Sequence, residues 1–214
     1  MFESLLPAEV RVAGGGPEPE HTLLADEARS IAGAAPGRLR EFAGGRACAR
    51  AALKRLPGVP AGPLPRDPDG AVVWPPGVTG SITHCGQRCF AAVAYSRQVP
   101  ALGIDLERIR PLEPGAVALI ATDREYRDWR AAAPETRDAL AIRLFSAKES
   151  LYKCCHPLVR RFIDFREVEI DWDDAAFAPR WLAPDLQTAL TGRVVHGRWR
   201  SDGHYLWTAA FCTP

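Results

Sequence analysis

The order of periodicities along the chain predicts an α+β fold. Helical spacing of apolar residues gives way to alternating strands once before position 102 and again after it. Turn signals separate the strands, and 214 residues are enough for one large domain or two small lobes sharing an interface. The repeated pattern suggests a duplication whose midpoint lies near Leu102.

In order, the spacing predicts a helix over 22–31 and a longer one over 37–55. The stretch 56–70 is crowded with proline and ends in Asp69-Gly70, a hairpin signal, so it reads as a linker. Short strands follow over 71–74, 80–83 and 90–95, then one over 101–107. The second half predicts helices over 114–120, 123–132 and 136–155, then strands over 166–172, 193–200 and 205–211, the last two joined at Asp202-Gly203. Within 136–155, Leu140, Leu144, Ala147, Leu151 and Cys155 form the stripe to be buried, leaving Lys148, Glu149, Tyr152 and Lys153 on or beside an adjoining face.

Composition narrows the function classes. With 47% hydrophobic and 25% charged residues, the chain is an ordinary globular one and not a disordered or collagen-like one. The first ten residues carry Glu3 and Glu9 and no apolar core. That predicts no secretory signal, a reducing cytoplasmic setting and free thiols at the six cysteines. No apolar run approaches the ~20 residues of a membrane span. A zinc site drawn from Cys85, Cys89, Cys154, Cys155 and His156 lacks the paired spacing zinc sites use. The net charge of +1 hides an uneven distribution: from Arg29 to Arg66 eight basic residues face a single acid, Glu41. The balancing acids lie partly over 164–174, so the chain is dipolar, which favours a local phosphate site over a broad nucleic-acid surface.

Three groups of residues carry chemistry. In the strand over 101–107, Leu102, Ile104 and Leu106 alternate with Gly103, Asp105 and Glu107. The two carboxylates therefore share a face about 7 Å apart. Such a pair repels unless a cation sits between its members or one is protonated, and oxygen ligands suit magnesium. Glu149 and Lys153 are i,i+4 neighbours on a helix, a pairing that is also common with no function at all. Three acids for Mg²⁺ and two lysines for phosphate oxygens would meet the needs of a phosphoryl transfer. Finally, Gly80-Ser81-Ile82-Thr83-His84-Cys85 offers hydroxyls and an imidazole to a terminal phosphate, with Arg38, Arg46 and Arg66 in the basic segment as further partners.

Gly80-Ser-Ile-Thr-His-Cys85, Gly103-Ile-Asp-Leu-Glu107 and Phe145-Ser-Ala-Lys-Glu-Ser-Leu-Tyr-Lys153 resemble, in order and spacing, the signature motifs of the Sfp-type 4′-phosphopantetheinyl transferases, in the EntD-like branch. The resemblance extends upstream to Glu41-Phe42, to the segment from Gly45 to Leu53 and to the turn Arg66-Asp-Pro-Asp-Gly70. Phe145 stands where many relatives have tryptophan, and Leu106 between the two acids is neutral.

The resemblance implies two similar α+β lobes in a pseudo-twofold arrangement within a monomer, with coenzyme A between them. The lobe 1–102 would serve the 3′-phosphate and adenine, and 103–214 the metal and the chemistry. It implies transfer of phosphopantetheine from coenzyme A to a serine of an acyl, peptidyl or polyketide carrier protein, releasing adenosine 3′,5′-bisphosphate. Asp105, Glu107 and Glu149 are then the ligands of Mg²⁺ or Mn²⁺, and Glu149 is the candidate base. Lys153 and Lys148 would sit beside the pyrophosphate. Arg38, Arg46, Ser81, Thr83 and His84 would form the 3′-phosphate side, and Arg66, Asp67, Asp69 and Gly70 the adenine side. The surface that faces the carrier is expected near 125–133. Two other classes remain at this point: a Mg²⁺-dependent phosphohydrolase, and a non-catalytic arginine-rich module for RNA or an acidic protein. Phe42 is the only aromatic among those arginines, which leaves little to stack on bases.

Overall fold

The computed structural model describes residues 1–213. Two antiparallel sheets, each carrying one long helix, make the architecture. The first sheet has the order β1-β3-β2, with β1 at Arg11–Gly15, β2 at Val78–Cys85 and β3 at Arg88–Tyr95. A short helix α1 (Ala25–Arg29) precedes α2 (Pro36–Leu53), which packs on β1 and β3. Pro36 starts α2 where a missing N–H costs nothing. Gly44 and Gly45 bring its backbone close to the sheet: a Cβ on Gly44 would lie 2.9 Å from Cys89 Sγ, and one on Gly45 2.8 Å from Ile82.

The second sheet is larger, in the order β4-β8-β7-β6-β5. Its strands are β4 (Leu102–Arg108), β5 (Val168–Asp173), β6 (Ala176–Trp181), β7 (Val194–Ser201) and β8 (Tyr205–Thr213). The helices are α3 (Pro114–Ile120), α4 (Asp123–Ala131), the long α5 (Pro134–Val159) and α6 (Pro184–Ala189). Thr122 caps α4 in a capping box with Glu125. Helix α5 continues past the expected end at 155 to Val159 and stops where Arg160 turns left-handed, φ 55. Its buried stripe contains Leu144, Ala147, Leu151 and Cys155 as the spacing requires, with Leu140 only partly covered.

Several expectations change. The helix over 22–31 shrinks to α1, and 71–74 is no strand but a single bridge between Val72 and Arg66. Strands β1 and β6 and helix α6 are additional to the elements the spacing predicts. The lobes share a plan but are unequal, three strands against five. All six cysteines are free thiols, and no described helix is long and apolar enough to cross a membrane.

Two contacts align the lobes. Phe2, Leu5, Val10, Val12, Ala92 and Ala94 share one apolar core with Leu102, Ile104, Leu106 and Trp207, so the first residues of the chain seal the second sheet. Beside this core, β4 meets β2 through hydroxyls. Ser81 Oγ accepts the Ile104 N–H at 3.0 Å and Thr83 Oγ1 accepts the Leu106 N–H at 3.1 Å. These backbone donors lie on the side of β4 away from β8, and a hydroxyl partner meets the demand that a buried N–H be bonded.

Candidate active site

A cavity of about 390 Å³ opens between the lobes. Helix α2 contributes Arg38, Glu41, Phe42 and Arg46, β2 contributes Thr83 and His84, and the proline-rich loop contributes Arg66 and Gly70. From the other lobe come Asp105 and Glu107 on β4 and Glu149 and Lys153 on α5. One wall is mainly cationic, the other mainly acidic.

On the cationic wall Arg46 is buried, donates Nε to the Leu64 carbonyl at 2.6 Å and lies 4.0 Å from the Phe42 ring centre. Burial pulls its guanidinium down to about 10, far enough above neutrality to leave it charged. Arg38 donates to His84 Nε2 at 2.5 Å. Glu41 lies 3.5 Å from Arg38 and 3.7 Å from His84 Nδ1, a counter-charge held between the two. Burial lowers the His84 pKa; Glu41 opposes the shift, while Arg38 and Lys153 add to it. Arg66 is folded onto its own turn, where Nε donates to the Gly70 carbonyl at 2.9 Å. Gly70 sits at φ +87, a left-handed conformation that favours glycine, and a Cβ there would lie 2.6 Å from the end of the Arg66 side chain, which would have to move aside.

On the acidic wall Lys153 Nζ reaches Asp105 Oδ1 at 2.6 Å and the Ile104 carbonyl at 3.3 Å. The approach depends on Gly103, because a Cβ there would run into the Ser150 carbonyl and lie 2.6 Å from the Cys154 nitrogen. Burial pushes Glu107 up to about 7, with the Asp105 charge adding to the rise. Burial, with Asp105 behind it, also raises Glu149. For Lys153 burial acts downward, but the charges of Asp105 and Glu149 outweigh it and raise its pKa. Among the described residues no three His, Cys, Asp or Glu side chains converge at metal-ligand spacing. In this arrangement the ammonium of Lys153 is the counter-ion of Asp105.

Of the residues singled out in the sequence, Arg38, Arg46, Arg66, Gly70, Thr83, His84, Asp105, Glu107, Glu149 and Lys153 line the one cavity. Lys148 does not, which corrects its assignment beside the pyrophosphate. It is 1% exposed and its ammonium is spent on the Ile120 carbonyl, Glu125 Oε2 and the Phe165 carbonyl, at 2.8, 2.6 and 2.8 Å. Five residues on a helix turn a side chain by about 140°, so Lys148 and Lys153 face different neighbours. Ser81 is also corrected, since it is buried and its hydroxyl serves the Ile104 N–H, outside the cavity lining. Asp67 and Asp69 do not line the cavity either. Asp67 accepts the Ala71 N–H at 2.8 Å and faces Arg160 at 3.3 Å, while Asp69 is exposed. Glu125, expected on a carrier-facing surface, is buried against Lys148.

The sequence reading does not single out Ser146 and Thr208, both fully buried behind Asp105: Ser146 stands within the Phe145–Lys153 motif, but a lone hydroxyl does not show by its spacing which carboxylate it meets. That reading also credited the whole basic segment to an anion. Arg50 instead pairs with Glu27, itself wholly buried, and Arg55 bonds the Val12 carbonyl.

A family model described as the 4′-phosphopantetheinyl transferase N-terminal domain matches residues 26–94, and one for the 4′-phosphopantetheinyl transferase superfamily matches 101–210. The chain is 42% identical to the 4′-phosphopantetheinyl transferase Svp of Streptomyces mobaraensis, over 95% of this chain and 82% of that protein. It is 38% identical to the 4′-phosphopantetheinyl transferase Npt of Nocardia iowensis, over 81% and 77%. With the 4′-phosphopantetheinyl transferase PptT of Mycobacterium tuberculosis the identity is 33%, over 98% and 92%.

Proposed function

Since the chain belongs to the 4′-phosphopantetheinyl transferase superfamily, it carries phosphopantetheine from coenzyme A to a carrier protein, and we propose that the cavity between the lobes is where this happens. The observation that carries the proposal is the opposition of two walls: Arg38, Arg46 and His84 on one side, Asp105, Glu107, Glu149 and Lys153 on the other. A donor with a phosphate at one end and a pyrophosphate further along has two anionic groups to hold: the cavity offers a cationic wall for one, and Lys153 with the oxygen donors of a cation site for the other. Both walls come from one chain, so the reading is of a monomer.

In this reading Arg38, Arg46 and His84 take the 3′-phosphate, displacing Glu41 as their counter-charge, and Arg66 with Gly70 borders the adenine. The reaction joins the serine oxygen of the carrier to the phosphorus that bears pantetheine and breaks the bond from that phosphorus to the bridging pyrophosphate oxygen. Adenosine 3′,5′-bisphosphate leaves. Serine is a weak nucleophile at neutral pH, and Glu149, whose raised pKa makes it a competent proton acceptor, takes the hydroxyl proton. Lys153 faces the charge that grows on the leaving phosphate.

The donor set also suits a small hard cation. Asp105, Glu107 and Glu149 offer oxygen only, and the burial and repulsion that raise Glu107 to about 7 are what a divalent ion would relieve. Those three do not converge at metal-ligand spacing while Lys153 pairs with Asp105, and they would have to draw together to hold Mg²⁺, which when bound would supply charge neutralisation at the pyrophosphate.

The test is incubation with coenzyme A, Mg²⁺ and an apo carrier protein, followed by mass spectrometry of the carrier. A gain of one phosphopantetheine is expected. Coenzyme A cleaved with no label on the carrier would instead make the protein a phosphohydrolase.

A further inference from the structure

We infer that Ser146, backed by Thr208, is the positioning residue that fixes the Asp105 carboxylate for transfer, an inference that rests on the cavity being the transfer site. Ser146 is 0% exposed and lies one turn before Glu149 on α5. Its hydroxyl donates to Asp105 Oδ2 at 2.8 Å and lies 2.9 Å from Thr208 Oγ1. Thr208, directly opposite Asp105 across the β4–β8 ladder, donates in turn to the Ser146 carbonyl at 2.8 Å.

Each hydroxyl has one hydrogen. Thr208 spends its own on the Ser146 carbonyl, so toward Ser146 Oγ it can only accept. Ser146 then has a choice between a neutral hydroxyl and a carboxylate, and the charge-assisted bond is the stronger. The hydrogen goes to Oδ2. The other oxygen, Oδ1, faces Lys153 at 2.6 Å and receives the Thr83 hydroxyl at 3.3 Å from the opposite lobe. Asp105 is therefore gripped at both oxygens, with Oδ2 turned into the protein and Oδ1 left toward the cavity.

Packing alone does not call for serine here. The next residue, Ala147, is equally buried without a hydroxyl. A serine inside a helix is otherwise neutral to unfavourable and tends to bond its own backbone. Ser150, one turn on, does so at the Ala147 carbonyl, whereas Ser146 reaches across to β4. Ser146 does not line the cavity and acts through Asp105.

The experiment compares Ser146→Ala, Thr208→Val and Thr208→Ser with the wild type. Ser146→Ala leaves Thr208 its bond to the backbone carbonyl, so the melting temperature should stay within a few degrees. Its kcat is expected to fall at least tenfold while KM and the calorimetric Kd for coenzyme A stay within twofold. Titrating the enzyme–coenzyme A complex with Mg²⁺ alone should show affinity weakened at least fivefold. Thr208→Ser, which keeps the hydroxyl, should behave like wild type, and the isosteric Thr208→Val should fall between. Two outcomes would overturn the inference: a Ser146→Ala kcat within twofold of wild type, or equal losses in kcat and coenzyme A affinity together with a lowered melting temperature. Should Ser146→Ala not fold, Thr208→Val decides by the same readouts. A wild type that fails to label the carrier counts against the transfer reading itself, and the Mg²⁺ titration still decides the part of Ser146.

Discussion

At the scale of the residue, two lysines of one motif do different work. Lys148 is locked between Glu125 and two carbonyls, so its removal leaves a buried carboxylate without its partner. Lys148→Met should cost about 3 kcal/mol of stability, measured by denaturant unfolding, and adding Glu125→Gln should recover much of that loss. Lys153→Ala should lower kcat about 10²-fold, because it removes a charge that faces the leaving phosphate, and it should also cost stability by leaving the buried Asp105 carboxylate without its counter-ion. On the opposite wall, Arg46→Ala and His84→Ala should each weaken coenzyme A at least tenfold and 3′-dephospho-coenzyme A hardly at all. Equal losses on both donors, measured by calorimetry, would remove the 3′-phosphate from this wall. His84 also predicts a pH dependence. Its folded pKa lies below the ordinary 6.5, chiefly through burial. As pH falls from about 6.5 the unfolded chain takes up this proton first, so the contribution of His84 to stability falls down to its folded pKa and levels off below it. The stability difference between wild type and His84→Gln, followed by thermal melts from pH 7.5 to 5, should shrink or reverse in that direction; a difference growing in favour of the wild type at low pH would show the sign to be wrong.

At the scale of the element, the meeting of β4 with α5 sets the site. Gly103 lets the strand lie against the Ser150 and Cys154 backbone, which brings Asp105 to Lys153. Gly103→Ala must push the two apart, and we expect loss of transfer together with a melting temperature lowered by several degrees, from overpacking at about 1–3 kcal/mol. A variant that melted like wild type and transferred normally would show that the contact tolerates a methyl. Elements with strong local signals were legible: α2 and α3 from helical spacing, and β7 and β8 from the Asp202-Gly203 turn between them. Those that failed lacked such signals. Strand β1 reads Arg-Val-Ala-Gly-Gly, too short and glycine-rich to announce itself, and exists because β3 offers it a full ladder. Strand β6 contains Pro179, which argues against a strand within a sheet. It is tolerated because Pro179 stands opposite Ile170, whose N–H and C=O bond Glu125 and Arg124 instead, and because β6 pairs with β7 only at Ala176 and Phe177, so no ladder bond is lost at the proline.

At the scale of the whole molecule the lobes are not independent bodies. The chain start packs into the core under β4 and β8, and Ser81 and Thr83 carry the hydrogen bonds of one edge of β4. A single cooperative unfolding transition is therefore expected, with calorimetric and van't Hoff enthalpies in agreement, and residues 103–214 expressed alone should fail to fold. Two resolved transitions would mean that the shared core contributes little.

Much of the function is legible in the amino-acid sequence by itself. The alternation of Leu102, Ile104 and Leu106 with Asp105 and Glu107, the i,i+4 pair Glu149 and Lys153, and the excess of arginine before His84 all depend on local spacing, and the residues they single out meet in one cavity. What spacing cannot carry is the identity of the neighbour. Lys148, Ser81 and Arg50 have the chemistry of ligand-binding residues, yet each is consumed by a partner far away in the chain: Glu125, the Ile104 N–H and Glu27. Ser146 looks like a filler of its helix and instead holds Asp105. Local periodicity decides which face of an element a side chain occupies, but only the packing of one element on another decides whether that face meets solvent, a substrate or a buried partner. A buried polar group must find such a partner somewhere in the fold, and that requirement made Lys148 structural and left Lys153 facing the cavity.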